Sequence, residues 1–431
     1  MELVKKTRLY DWHLAHGAHL AEFGGYQMPL WYTAGTRAEH LAVISAAGIF
    51  DTSHMAAVSV DGTEARLLLE RCFTRNIGAE SAKGALIPGR CLYGLFLNDD
   101  GTVIDDAIVY QLAAERYLVV VNAGMGGPVA AHLTANRQDM AVEVTDRTDH
   151  LGKLDLQGPA AVAILAGLLR DPAAALGGLG YFAFRGSLAD LGGGQPQGTI
   201  ALDDGTELLV SRTGYTGEQG FEIFTAIDKL ERVWERLIAA GQAHGLLPCG
   251  LAARDSLRAG AGLPLSLQDI GPWPFLHNPW QFALPWLPDR RFFSKDFIGA
   301  SALLKSNWPK HTLAFAGFDP RKVPAGPDSL VLNKEGENCG TILTCTTDMA
   351  IDRQEGEIIS LAAGPARPVK GLCCGFVLVD RQLPPGSRVW LSDGRRRVEV
   401  EIRTDIRPER TARRVLHLPN DNRLPVEGGE A

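Results

Sequence analysis

Two neighbouring carboxylates offer the first chemistry in this chain. They stand in Val103-Ile104-Asp105-Asp106-Ala107-Ile108-Val109-Tyr110, a run that reads as one strand with apolar residues on both faces. Side chains alternate along a strand. Asp106 therefore shares a face with Ile104, Ile108 and Tyr110, and Asp105 shares the other with Val103, Ala107 and Val109. On that spacing the two acids cannot act on one atom together. A carboxylate among such neighbours must meet a donor or a cation, or take up a proton. The strand pattern by itself favours a structural acid bonded to a turn or an arginine.

Other candidates carry the same two readings. Glu222 begins a strand just after the glycine-rich turn Arg212 to Gly220, where it can point into a cleft. Arg254, on the helix that follows, can hold that carboxylate, so the two are site groups or a buried ion pair. The faces of Tyr93 and Tyr215 suit a flat heterocycle as well as a core. Asn122 closes a strand and can be a plain turn former. His13, His16 and His19 recur every third residue, and a solvated helix face explains them better than a metal site. The groups LGGLGY and LGGGQ are not dinucleotide fingerprints, because no G-x-G-x-x-G follows a strand and opens a helix.

The elements that must position these groups follow from pattern. Leu9 to Leu20 has helical spacing. Thr36-x-x-Glu39 has the form of a capping box that opens a second helix, with Gly48 closing it. Strands are expected at Ala57 to Val60, around Tyr93, at the Asp106 run and at Arg116 to Asn122. Helices are expected at Glu64 to Phe73 and at 124–136. This order leads to a mixed, largely antiparallel sheet. Strands at Leu154, Leu208 to Ser211 and Phe221 to Phe224 come next. The stripe Ile227, Leu230, Val233, Trp234, Leu237, Ile238 then marks a helix. The Pro- and Trp-rich segment Pro264 to Pro288 reads as a crossover. Beyond about residue 300, short strands alternate with turns, including the hairpin signal Asp393-Gly394, as in a small all-β domain. The last dozen residues read as a frayed tail.

The 431 residues are too many for one ordinary core, and two or three domains are expected. A net charge of -7 argues against non-specific nucleic-acid binding. No apolar run is long enough to span a membrane. Seven cysteines without a C-x-x-C pair fit a reducing compartment better than a disulfide framework or a zinc site.

The ordered set LYDWHLAHGA, AEFGGYQMPLWY, EHLAV, GIFDTSHM, LYGLFLNDDGTVIDDAIVY, RYLVVVNA, LQGP, SRTGYTGEQGFEI, PCGLAARDSLR and DFIGA resembles the aminomethyltransferase family. That family comprises the T-protein of the glycine cleavage system and its folate-dependent demethylase relatives. The likeness covers roughly residues 9–300. It implies an α+β fold of three domains in a cloverleaf, with mixed and antiparallel sheets, a C-terminal all-β barrel and a central folate channel. Residues 1–51 plus 147–250 would form a first, discontinuous folate-binding domain. Residues 52–146 plus 251–300 would form a second domain carrying the Asp106 strand, and 301–431 the barrel. The resemblance further implies a transferase of one-carbon metabolism, and the short stretch before Leu9 leads to the expectation of a cytoplasmic one. Its cosubstrate would be tetrahydrofolate and its donor an aminomethyl group on a lipoylated carrier, the H-protein. No metal is implied. Asp106 is the implied catalytic carboxylate beside N5, and Tyr93, Asn122, Tyr215, Glu222 and Arg254 line or brace the folate site, with Met55 and Trp286 as further candidates.

The chain also departs from the family pattern. Where relatives read L-E-A-G-x-x-L-Y-G-Q-D, it has Gly260 for the acid and Ser266-Leu267 for Tyr-Gly. Gln281 replaces a Glu, and CTTDMAIDRQ (345–354) replaces S-P-T-L-G. These changes fall on the donor side. A demethylase acting on a small methylated amine, sulfonium or ether is therefore the second expectation. A non-catalytic folate-binding module is the third, and the loop SRTGYTGEQGFE lacks the cysteine typical of such modules. What 345–374 and the arginines 395–397 do is left open; a solvated strand end suits the arginines best.

Overall fold

The computed structural model describes residues 4–78, 85–188, 191, 198–363 and 368–418. The last dozen residues and most of the LGGGQ run lie outside them.

Three β assemblies organise the chain. The strand with the two acids runs from Val103 to Ala113 and is the second of five antiparallel strands. The order is Cys91–Leu97, Val103–Ala113, Arg116–Val121, Ala56–Asp61 and Glu143–Asp146. Ala107, Val109, Val119 and Val121 are buried in one core with Leu68, Leu69 and Cys72 of the helix Ala65–Cys72 and Val129 and Leu133 of the helix Gly126–Asn136. One face is thus sealed by two helices, which leaves the Ile104, Asp106, Ile108 face partly open. This is the alternation read from the sequence.

The second sheet has seven strands. Phe184–Gly186, Glu207–Ser211, Gly220–Ala226, Leu151–Gln157, Ala47–Asp51 and Leu246–Pro248 follow in that order, and Ile200–Ala201 pairs with Glu207–Ser211. The helix Leu230–Gly241 buries Leu230, Val233, Trp234 and Leu237 against this sheet, beside Trp12. Strands Leu151–Gln157 and Gly220–Ala226 pair so that Asp155 stands opposite Glu222. The third assembly is a closed barrel of six strands: His311–Gly317, Leu372–Val379, Asn338–Asp348, Leu330–Leu332, Arg388–Ser392 and Arg397–Arg403. The α+β class with a terminal barrel is therefore the observed architecture. Among the described residues no helix is long and apolar enough to cross a membrane.

Several local expectations are corrected. The first helix covers only Tyr10–Ala15, and His19–Phe23 is a strand against Tyr26–Trp31. The turn between them needs Gly17 at φ +72°, a conformation open to glycine at no steric cost. His13 is not on a solvated face. It is fully buried, 3.0 Å from Asp51 and 2.9 Å from the Tyr32 hydroxyl. The capping box at Thr36 does not form. Glu39 turns inward to accept from the Tyr32 N–H (2.6 Å) and the Gly250 N–H (2.9 Å), because those amides are buried and need an acceptor. Gly48 does not close the helix, which ends at Ser45; it lies in the strand Ala47–Asp51. The strand Leu330–Leu332 and the hairpin Ile351–Gln354/Glu357–Ser360 carried no sequence signal strong enough to place them.

Candidate functional site

Asp105 and Asp106 are held by three neighbouring elements. Tyr93, on the adjacent strand, donates its hydroxyl to Asp106 Oδ2 at 2.9 Å. Asn122 ends the strand on the other side. The register pairs Ala107 with Val121, which sets Asn122 beside Asp106 just past the last rung. Its Nδ2 donates to both acids, at 2.8 Å to Asp105 Oδ1 and 2.6 Å to Asp106 Oδ1. The expectation that the pair cannot share one atom is therefore overturned. A side-chain amide beyond the end of a strand can reach around the edge to both faces. Asp105 also accepts from the Asn122 N–H (2.9 Å) and from the Ser266 hydroxyl (2.6 Å).

Burial and the adjacent Asp105 charge push Asp106 up to about 7, against the lowering effect of the Tyr93 and Asn122 donors. Asp105 is also raised by burial, with Ser266 and Asn122 pulling the other way. Each Asp106 oxygen holds one hydrogen bond, so each keeps a lone pair for a ligand. Tyr93 is raised by burial and by Asp106, so its phenol keeps its proton.

The expected Glu222–Arg254 ion pair does not form. Lys153 comes between them, 2.5 Å from Glu222 and 2.6 Å from Asp155, and Arg254 bonds Asp155 at 2.6 Å. Two cations and two carboxylates thus alternate in one buried chain, which neutralises the charge that burial penalises. The two positive neighbours hold Asp155 down at about 2 against the opposing cost of burial. Glu222 Oε2 already accepts from Tyr110 (3.1 Å) and Thr213, so one lone pair remains on Oε1. Asp106 is the better equipped of the two to accept a pair of N–H groups.

Arg254 lies 4.9 Å from the centre of the Tyr215 ring and 5.8 Å from that of Phe50. Tyr215 donates its hydroxyl to the Pro264 carbonyl, which ties the Arg212 to Gly220 loop to the segment bearing Ser266. Met55 is partly buried against the core cluster that contains Tyr110, Phe184 and Phe224. Trp286 stands apart from this network. Its indole donates to Gln281 at 3.0 Å, and it lines a separate cleft of about 570 Å³ with His277, Arg290 and His311.

The segment 406–412 straps the Tyr215 loop. Arg407 reaches the Thr216 carbonyl, Glu218 (3.2 Å) and Asp348 (2.9 Å). Thr411 donates to Glu218 at 2.7 Å and accepts from the Gln219 N–H at 2.8 Å. Asp348, within CTTDMAIDRQ, also meets His40 at 3.0 Å. A Cβ on Gly260 would stand 1.7 Å from Asp348 Oδ2. The barrel therefore sends a carboxylate into the space that the missing side chain at 260 leaves free.

Sequence reasoning missed Lys153, Asp155 and His54, and marked Ser266 only as a departure from the family pattern, not as a partner of Asp105. Lys153, Asp155 and Gln157 recur at i, i+2 and i+4 on one face of a strand, a polar row opposite Leu154 and Leu156 that could have been read. His54 is buried with Nδ1 unpartnered, and burial lowers it to about 4. Among the described residues no cluster of three or more His, Cys, Asp or Glu could hold a metal.

Comparison with known proteins bears on this arrangement. Residues 9–287 match the model of the GCVT N-terminal domain. An aminomethyltransferase of Desulforamulus reducens is 35% identical over 362 residues, 83% of this chain and 90% of the relative. One from Bacillus subtilis is 33% identical over 360 residues, 82% and 90% of the two chains. The crystal structure of glycine cleavage system aminomethyltransferase T from Bartonella henselae superposes with a TM-score of 0.73 at 26% identity, covering 93% of this chain and 96% of that one.

Proposed function

The chain belongs to the aminomethyltransferase family, and on that premise we propose that it transfers an aminomethyl-derived methylene from a lipoylated carrier to N5 of tetrahydrofolate. Ammonia and the carrier's free lipoyl thiol are released: the carbon's bonds to nitrogen and to sulfur break as its bonds to N5 and N10 of the folate form, and the two folate N–H protons leave with the two departing groups. The observation that carries the reading is Asp106: a partly accessible carboxylate with a lone pair free on each oxygen, brought to about 7, between Tyr93 and the Tyr215 loop.

Tetrahydrofolate would supply N5 as the nucleophile. Asp106 accepts the N5 proton and faces the carbon that becomes cationic as its bond to nitrogen breaks, the arrangement a positive transition state requires. Tyr93 and Asn122 fix the carboxylate. Tyr215, backed by Arg254, offers a face for the flat ring. Glu222 and Met55 close the inner wall. Leu267 and Phe282 are 56% and 58% exposed, and Phe282 lies 6.0 Å from Tyr93. Apolar side chains open to solvent beside the site suit the docking of a carrier protein.

The second reading is transfer of a methyl group from a small methylated amine, sulfonium or ether. It is favoured by Ser266, which stands on Asp105 where relatives carry a tyrosine and so alters the donor side at the carboxylate pair itself. Calorimetric titration with tetrahydrofolate, followed by a donor screen read by mass spectrometry, separates the two. A loaded lipoyl carrier yields ammonia and methylenetetrahydrofolate in the first case. A small donor yields methyltetrahydrofolate without a carrier in the second. Folate affinity with neither product would leave only a binding module.

A further inference from the structure

The two acids are held unequally. Asp105 is fully buried and accepts three hydrogen bonds, from the Asn122 N–H, Asn122 Nδ2 and Ser266 Oγ. Asp106 is partly accessible and accepts two, from Tyr93 and Asn122 Nδ2. Adjacent carboxylates joined through one amide titrate as a pair, and donors decide which member keeps the charge. Asn122 Nδ2 serves both, at 2.8 Å to Asp105 and 2.6 Å to Asp106, so the choice falls to the donors that serve only one of them. Tyr93 favours a charge on Asp106; the Asn122 N–H and Ser266 favour one on Asp105. Among the donors that serve one acid only, the Ser266 contact at 2.6 Å is shorter than those of Tyr93 and the Asn122 N–H, both 2.9 Å, and it tips the balance.

We infer that Ser266 is a positioning residue for the reaction: its hydroxyl pins the negative charge of the pair on Asp105 and leaves Asp106 as the member that gives and takes the proton. This rests on the assignment of Asp106 as the reacting carboxylate. The other charged or titratable groups facing the pair are the phenols of Tyr93 and Tyr215. Arg254, Arg258 and Asp269 lie beyond Tyr215. None of these donates to Asp105. The shift of Asp106 towards neutrality, with Asp105 among its causes, agrees with the geometry.

The singly protonated pair has two forms, with the charge on Asp105 or on Asp106. Loss of the Ser266 bond weakens the first form, and Asp106 then ionises at lower pH. The test is an infrared difference titration of the ligand-free protein, reading the carboxylic acid carbonyl band that Asp106→Asn removes. The midpoint of that band is expected to fall by about one pH unit in Ser266→Ala, tenfold in the ratio of the two forms. Ser266→Thr, which keeps the hydroxyl, should restore it. A midpoint in Ser266→Ala that stays in place or rises overturns the inference. The band needs no turnover, so it also separates this idea from the functional one. A falling midpoint in a protein that transfers no carbon unit sinks the function and leaves the role of Ser266 standing.

Discussion

Asp155→Asn removes one charge from the middle of the buried chain Arg254–Asp155–Lys153–Glu222 and keeps the side chain's shape. The native acid is held at about 2 against an ordinary value of 3.8. At about 1.4 kcal/mol per unit, ionised Asp155 contributes roughly 2–3 kcal/mol at neutral pH. Removing one partner of a buried pair strands the others, which sets an upper range of about 3–5 kcal/mol. The variant should therefore lose about 2–4 kcal/mol at pH 7. The pH dependence has a definite sign. A depressed carboxylate stabilises above its unfolded value and loses that contribution as pH falls through its folded value. The gap between native protein and variant should thus be full above about pH 4 and narrow towards pH 2. Urea unfolding followed by tryptophan fluorescence is the assay, since Trp12 and Trp234 lie in the core that also holds Leu154 and Leu156. A cost below about 1 kcal/mol at pH 7, or a gap that does not narrow with acid, would refute the reasoning.

The same geometry makes three further predictions. Tyr93→Phe removes a donor to ionised Asp106, so its midpoint rises above about 7 and the acid limb of the rate profile moves up, cutting turnover at pH 7 several-fold; an unmoved limb contradicts this. Gly260→Ala drives a methyl into Asp348 and should cost about 2–3 kcal/mol. In the double variant with Asp348→Ala that clash is gone, so the two costs should sum to more than the measured total in an unfolding cycle. Thr411→Val frees one side of the Tyr215 loop, and calorimetry should show tetrahydrofolate bound about tenfold more weakly, with a fold-stability cost of about 1–3 kcal/mol from the partners left unpaired.

Local pattern carried most of the fold. Alternation along 103–110 placed the Asp106 strand and its open face, and the apolar stripe from Leu230 to Leu237 placed the helix behind the second sheet. Tyr93, Asn122 and Asp106 gather because adjacent antiparallel strands bring them together, a local relation that strand order makes legible. What stayed hidden was long-range. Glu222 meets Lys153 rather than Arg254 only because Leu151–Gln157 pairs with Gly220–Ala226 in one register. His13 reaches Asp51 across 38 positions, so its own helix gave no sign of burial. Ser266 reaches Asp105 across 161 positions, and Asp348 enters the space at Gly260 from the barrel. No window of sequence contains such pairs.

The central claim is that Asp106 serves one-carbon transfer to tetrahydrofolate. A single-turnover experiment with an aminomethyl-loaded lipoyl carrier and tetrahydrofolate, following ammonia release, tests it most directly in native protein and in Asp106→Asn. The expected result is one ammonia per loaded carrier for the native protein and a rate at least about 100-fold lower for the variant at unchanged folate affinity. No ammonia from the native protein, or equal rates in the two, would contradict it.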